Sequence, residues 1–486
     1  MWLPRGGQWP ARIALLGGLF TAFGCSYWAQ QPELAPTRFA PATAVEAWRE
    51  PADAALPAHL TLPPPPPPTL QGRPYDLLEL IDLALRRNPQ TRAAWQEAIA
   101  TAAAYGRSRA AYYPYLTSVA QGGYSRLVFQ APNSPGAITQ WQFAPQVELS
   151  YVLLDFGRRR AASQAARQQS IAANFSFNRK LQDLVFTVEK AFYELGAAQA
   201  SVIAAQRNLA LAQANRRAVT QRRDLGLATQ PQALLAIQVE AQSVYDLETA
   251  RVMVRDAQAH LAIALGIRAD TALQVQSLQA QRVASNLPAQ VDQLIDTALR
   301  QRPDLAAQMA LVRASEARMH QARAAWMPTL SFSGAYGESD LAYQWNGPPT
   351  VDTNSPQYSA LLTLQWDIFT GFDRLNADAQ ARADAARARA QLQAAAIDAS
   401  AQVWQAYYNF RAALRKFTYA RSLLAASQEA YQANLQTYAQ GLSTIVELLT
   451  AARDLAGARY TLIQSKAELL TASAAVSYAV GASFGP

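Results

Sequence analysis

The chain of 486 residues carries 43 Lys and Arg against 35 Asp and Glu, a formal charge of +8 at pH 7. Half of it is hydrophobic, which excludes a disordered polyelectrolyte, yet only 16% is charged, against about 25% in ordinary globular chains, and Ala and Gln fill the gap as they do in long, close-packed helices. One cysteine excludes an intrachain disulfide or a Cys-based metal cage, and His59, His260 and His320 lack ligand spacing; no aromatic–basic module points to nucleic acid.

Residues 1–24 place Arg5 and Arg12 ahead of an apolar run, Ile13 to Phe23, that is too short to span a bilayer. This reads as a signal peptide. It ends in Ala22-Phe23-Gly24-Cys25-Ser26, so the sole cysteine falls at the cleavage boundary. The pattern resembles a bacterial lipobox, with Ala22 where Leu is usual, and it implies a covalent lipid on Cys25 (palmitate among the acyl groups) and no other cofactor. Ser26, rather than Asp, resembles lipoproteins sent on to the outer membrane. Residues 25–73 are proline-rich, and Pro63–Pro68 predicts a semi-rigid polyproline II spacer.

The remainder is a duplication. Leu80-Ile81-Asp82-Leu83-Ala84-Leu85-Arg86 recurs as Leu294-Ile295-Asp296-Thr297-Ala298-Leu299-Arg300, and Pro89 recurs as Pro303. Arg109-Ala110-Ala111-Tyr112-Tyr113-Pro114-Tyr115-Leu116 recurs as Arg323-Ala324-Ala325-Trp326-Met327-Pro328-Thr329-Leu330. Gly226-Leu227-Ala228-Thr229 recurs as Gly441-Leu442-Ser443-Thr444. These matches divide the chain into a first repeat, 74–280, and a second, 281–486.

Each repeat predicts a helix, a β-hairpin and a long helical hairpin. The opening helices are read over Tyr75–Ala111 and Ala289–Trp326, ended by Pro114 and Pro328. The period then becomes two. Phe143, Val147, Leu149, Tyr151 and Leu153 alternate with Gln142, Gln146, Glu148 and Ser150. Tyr358, Ala360, Leu362, Leu364 and Trp366 alternate with Ser359, Thr363, Gln365 and Asp367. The partner strands are Tyr115–Tyr124 and Leu330–Tyr336, giving hairpins over 115–154 and 329–369 with turn-rich loops at Asn133–Gly136 and Asn346–Pro349. Strands of about ten residues suffice to cross a bilayer when tilted, and Tyr112, Tyr113, Trp141, Trp326 and Trp345 cluster near their ends as interfacial girdles do.

From Arg158 to Asp224 and from Asp373 to Gln440 there is no proline and almost no glycine, which predicts helices of roughly 100 Å. Val403, Phe410, Phe417, Leu424, Tyr431 and Tyr438 stand at strict seven-residue intervals, and Leu181, Val185, Val188, Phe192 and Leu195 step by four and three. That is a coiled-coil seam, and it assigns Tyr431 and Tyr438 to packing rather than to a constriction. Gly226 and Gly441 suit the left-handed position after a helix. Thr229 with Gln232, and Thr444 with Glu447, match capping boxes that start the return helices.

One chain therefore offers four membrane-type strands. An open sheet leaves edge N–H and C=O groups unsatisfied in lipid, and four strands cannot close a barrel. Identical chains must pool their strands, eight for a dimer or twelve for a trimer. The duplicated motifs and paired glycine tips resemble the TolC/OprM-type outer-membrane efflux proteins. The resemblance implies a mainly α chain that forms a homotrimer, with a twelve-stranded β-barrel continued by a periplasmic α-barrel. It also implies localisation to the outer membrane of a Gram-negative bacterium, and docking to a periplasmic adaptor protein and an inner-membrane transporter. It places a gate at the periplasmic tip, near Gly226, Thr229 and Gln232 in the first repeat and Gly441, Ser443, Thr444, Glu447 and Thr450 in the second. The function implied is passive export of small molecules. A type I protein-secretion duct is the alternative within export, and an envelope coiled-coil scaffold is the alternative outside it. No nucleophile–base pair, phosphate loop or convergent carboxylate pair suggests an enzyme.

Overall fold

The computed structural model describes residues 74–130, 136–271, 273–283 and 290–481. Cys25, the leader, the proline run and the loop residues Asn133, Ser134 and Pro135 lie outside them.

Each predicted opening helix is two helices. The first repeat has α1 (Leu77–Arg87) and α2 (Pro89–Arg109), and the second has α5 (Val291–Gln301) and α6 (Pro303–Ala324). The breaks fall at Pro89 and Pro303, because the residue before a proline is pushed out of the helical region. Asn88 (φ −63°, ψ 124°) and Arg302 (φ −67°, ψ 123°) are extended, and each proline then starts a new helix at the first position. Tyr75 is not helical either: it pairs with Val275 in an isolated parallel bridge.

The four strands are β1 (Tyr115–Phe129), β2 (Gly136–Leu154), β3 (Thr329–Trp345) and β4 (Thr350–Gln365), in one antiparallel sheet of order β1-β2-β3-β4. They run 15 to 19 residues, well past the expected ten. The register explains the excess. Leu330, Phe332 and Tyr336 pair with Leu364, Leu362 and Tyr358 on one face, but beyond them the same face carries Glu338, Asp340 and Asp352. On that face Phe143 and Trp141 of β2 pair with Asp340 and Ala342, so the strands stay paired beyond the apolar residues of β3 and β4 with mixed polar and aromatic side chains that give no periodic signal of burial. No helix among the described residues is long and apolar enough to cross a membrane.

The helical hairpins are α3 (Arg158–Asp224) with α4 (Gln230–Leu265), and α7 (Asp373–Ala439) with α8 (Ile445–Val480). At 67 residues each, α3 and α7 reach about 100 Å. Their seams are apolar. Val188, Phe192 and Leu195 of α3 are buried with Leu261 and Leu265 of α4, and Val403 and Phe410 of α7 with Leu469 and Val476 of α8. Buried alanines such as Ala205 and Ala413 allow the backbones to approach.

The joint between sheet and helices is built twice from the same parts. Arg159 donates to the Ala111 carbonyl (3.1 Å) and stands over the Tyr112 ring (5.5 Å). Arg374 donates to the Ala325 carbonyl (3.4 Å) and stands over the Trp326 ring (5.2 Å). Each arginine ties the start of its long helix to the corner that leads into the hairpin.

Candidate functional site: the hairpin tips and the seam between them

Gly226 (φ +73°) and Gly441 (φ +76°) turn the chain at the two tips, where an L-residue would be strained. The return helices start as their sequences require. The Thr229 N–H donates to Gln232 Oε1 (2.8 Å), and the Thr444 N–H donates to Glu447 Oε2 (3.0 Å) while the Glu447 N–H donates to Thr444 Oγ1 (3.3 Å). Glu447 is exposed and makes no ion pair among the described residues; its carboxylate is engaged in the cap. Ser443 Oγ accepts from Thr437 Oγ1 (3.0 Å), which ties the turn to the end of α7. Glu447 and Thr450 share a groove of about 480 Å³ with Asn434 and Asp454 on the α7–α8 face. Gln232, on the other hairpin, is not part of it.

Below the turns, one core joins both hairpins: Val219, Ala233 and Ala236 pack with Tyr431, Ile445, Leu448 and Leu455. Tyr431 is 4% exposed, so it is a packing residue. Burial raises its phenol pKa, against the opposing hydrogen bond to Asn215.

The sequence reading missed a polar row within this packing. Ser201, Asn208, Asn215 and Arg222 stand at seven-residue intervals on α3, the first three of them buried. Asn208 Oδ1 accepts from Arg459 of α8 (2.6 Å), and Asn215 Oδ1 accepts from Tyr431 of α7 (3.5 Å). Arg222 donates to the Tyr438 carbonyl (3.1 Å) with its guanidinium 4.7 Å from that ring's centre. Desolvation by burial, with Arg207 adding to it, lowers the Arg459 pKa. Asn215 Nδ2 and Ser201 Oγ have no partner among the described residues. A cavity of about 470 Å³ lies alongside, bounded by Asn208, Asn215, Asp246, Leu449, Thr450 and Arg453. Each hairpin is thus closed by an apolar seam, while the two meet across a partly polar, incompletely satisfied one. Polar groups at such positions set register at a cost in stability, and water can replace their partners when the surfaces part. The seven-residue spacing was visible in the sequence, but polar residues at that spacing look the same on a solvated face.

The sequence matches the family described as outer membrane efflux protein over residues 80–267 and 294–482, one match per repeat. The chain belongs to the outer membrane efflux protein family. Protein CyaE of Bordetella pertussis is 30% identical over 417 residues, covering 83% of this chain and 84% of that protein. The probable efflux pump outer membrane protein TtgC of Pseudomonas putida is 24% identical, covering 93% and 89%. The solved structure of the outer-membrane channel OprN superimposes with a TM-score of 0.73 at 21% identity, covering 90% of this chain and 98% of that one. The four-stranded sheet with paired long hairpins is therefore the fold of an outer-membrane efflux channel, and the family consists of ducts rather than enzymes.

Proposed function

We propose that the chain is the outer-membrane duct of a tripartite efflux system. In this reading three copies close a twelve-stranded barrel, continue it as a periplasmic helical barrel, and pass small molecules outward without an energy source of their own. The observation that carries the reading is the sheet: β1 and β4 are its two unpaired edges, and β4 is exposed along its whole length. Its apolar band suits lipid, where such edges have no water to satisfy them. Other copies of the chain satisfy both edges at once. The polar seam between the hairpins supports a tip that opens by parting them, with Glu447 and Thr450 facing the groove that widens.

The tips also suit docking to a periplasmic adaptor that an inner-membrane transporter drives. Leu227 and Leu442, equivalent residues of the two turns, are 67% and 75% exposed. Large apolar side chains so placed mark a surface that a partner covers. The lipid on Cys25 adds an anchor in the outer membrane.

Single-channel recording in planar bilayers tests the reading. A heat-modifiable trimer of steady conductance is expected, and Glu447→Ala is expected to change that conductance. A monomer that passes no ions would support the coiled-coil scaffold instead. Unaltered conductance with reduced thermal stability would confine Glu447 to capping. Restoring the chain to a deletion strain is expected to restore tolerance of toxic compounds; restored secretion of a protein without tolerance would identify a type I duct. Cys25→Ala is expected to abolish labelling by palmitate while leaving the trimer intact.

A further inference from the structure

The two joints between sheet and helices share their geometry but not their charge. In the second repeat, Asp373 stands in the first turn of α7, where the partial positive charge of a helix start favours an acid. In the first repeat, Arg158, Arg159 and Arg160 fill the first turn of α3 with no acid among them. These cations oppose the helix dipole, so helix stability does not account for them. Arg159 is engaged with Asp155 and with the Ala111 carbonyl. Arg107 and Arg109 stand in the last turn of α2, four and two residues before Ala111. Arg107, Arg109, Arg158 and Arg160 are all exposed, and none has an ion-pair or hydrogen-bond partner for its side chain among the described residues. Asp155, the acid of this corner, is already taken by Arg159.

Aromatic side chains flank these cations in the sequence, Tyr113 and Tyr115 after Arg109 and Phe156 before Arg158. Tyr113 and Tyr115 are 65% and 69% exposed, and Phe156, held at φ +50°, is half exposed. These residues lie at the ends of α2 and β2 and the starts of β1 and α3, where the lipid-crossing sheet gives way to helix. An aromatic belt with arginines at that depth is the chemistry of a bilayer's headgroup layer, and guanidinium groups match phosphate oxygens in pairs.

Resting on the duct reading above, we propose that the first-repeat joint binds anionic phospholipid headgroups of the inner leaflet. The four free arginines hold the phosphodiester groups, and Tyr113, Tyr115 and Phe156 seat at the glycerol boundary. The second-repeat joint, with Asp373 and Asp367 in its loop, is the non-binding counterpart. A closed ring then alternates lipid-binding and neutral joints, three of each.

The test uses the full chain reconstituted in vesicles of phosphatidylethanolamine doped with phosphatidylglycerol, re-extracted in mild detergent, with retained lipid measured by mass spectrometry. Wild type is expected to retain phosphatidylglycerol well above its share of the vesicle, and less so as salt is raised. Each Arg→Gln change among the four is expected to lower the enrichment about fivefold. Arg158→Lys with Arg160→Lys, which keeps the charge, is expected to preserve most of it. Equal lipid composition for wild type and the Arg158→Gln, Arg160→Gln variant, both trimeric and conducting, would overturn the proposal. So would a Gln variant whose trimer falls apart in lipid-free detergent, because the arginines would then pair with acids of the neighbouring copy. A wild-type chain that forms no channel would instead remove the duct reading beneath it.

Discussion

The two repeats solve one packing problem with different chemistry. At the break before Pro89, the Asn88 amide donates to the Ala264 carbonyl at the end of α4 (2.8 Å) and its oxygen accepts from the Gln90 N–H (2.8 Å). At the equivalent break before Pro303, Arg302 donates to the Ala479 carbonyl at the end of α8 (3.2 Å), to Gln402 (2.9 Å) and to Asp304 (2.7 Å). Both side chains are buried, at 5% and 3% exposure. Both satisfy a carbonyl that the last turn of a helix leaves open. The first repeat does so with a neutral amide. The second uses a buried cation that needs a carboxylate beside it. Duplicated backbone geometry therefore preserved the demand for a donor, not the identity of the donor.

The comparison breaks most sharply at the glycines these junctions touch. A methyl group on Gly266 (φ +67°) would meet Asn88 Cα and Pro89 Cδ, both at 2.9 Å. On Gly481 (φ +79°) its nearest contact is Arg302 Cγ, also at 2.9 Å, a side-chain atom with more freedom to move. Gly266→Ala is expected to cost about 3 kcal/mol, combining left-handed strain with overpacking, and Gly481→Ala about 2 kcal/mol. Thermal unfolding followed by circular dichroism ranks the two; equal losses would mean that backbone strain alone decides.

Asp304→Asn sharpens the difference in chemistry. Partial burial by itself raises the Asp304 carboxyl, but its hydrogen bonds to Arg302 and the charges of Arg302 and Arg179 hold it below its ordinary value of 3.8. A carboxyl with a lowered folded pKa adds stability above its unfolded pKa and loses it as pH falls through the folded value. Asp304→Asn is thus expected to cost about 2 kcal/mol near neutrality and to flatten the acid limb below pH 4 in stability–pH profiles. The corresponding residue of the first repeat, Gln90, has no titrating side chain, so Gln90→Ala should leave that limb unchanged.

The smallest expected effects lie at the caps, where the repeats agree. Thr229→Ala and Thr444→Ala should each lower the melting temperature by the equivalent of about 1 kcal/mol. A larger loss at Thr444, beside the buried Ile445, would show that the second tip depends on its cap for more than helix initiation.

Much of the architecture was legible because it is periodic. The 67-residue helices begin and end within a residue of their predicted limits, and the strand pairs and glycine turns fall where the period changes. The breaks at Pro89 and Pro303 were missed because the helical pattern resumes one residue later, so the period hides the interruption. The buried row of Asn208 and Asn215 was missed because a polar residue on a helix reads as solvated until something packs over it. The height of the strands was missed because Glu338, Asp340 and Asp352 remain paired where nothing buries them.

Repetition and period are local properties, and residues a few positions apart carry them; so the sequence by itself determined the duplication, the hairpins and a strand count too low to close a barrel alone. Which polar groups are buried, and what satisfies them, was decided only in the tertiary structure. Asn88 finds its acceptor 176 residues away and Arg302 finds one 177 away, and a hydrogen bond across that distance exists only once the chain has folded back upon itself.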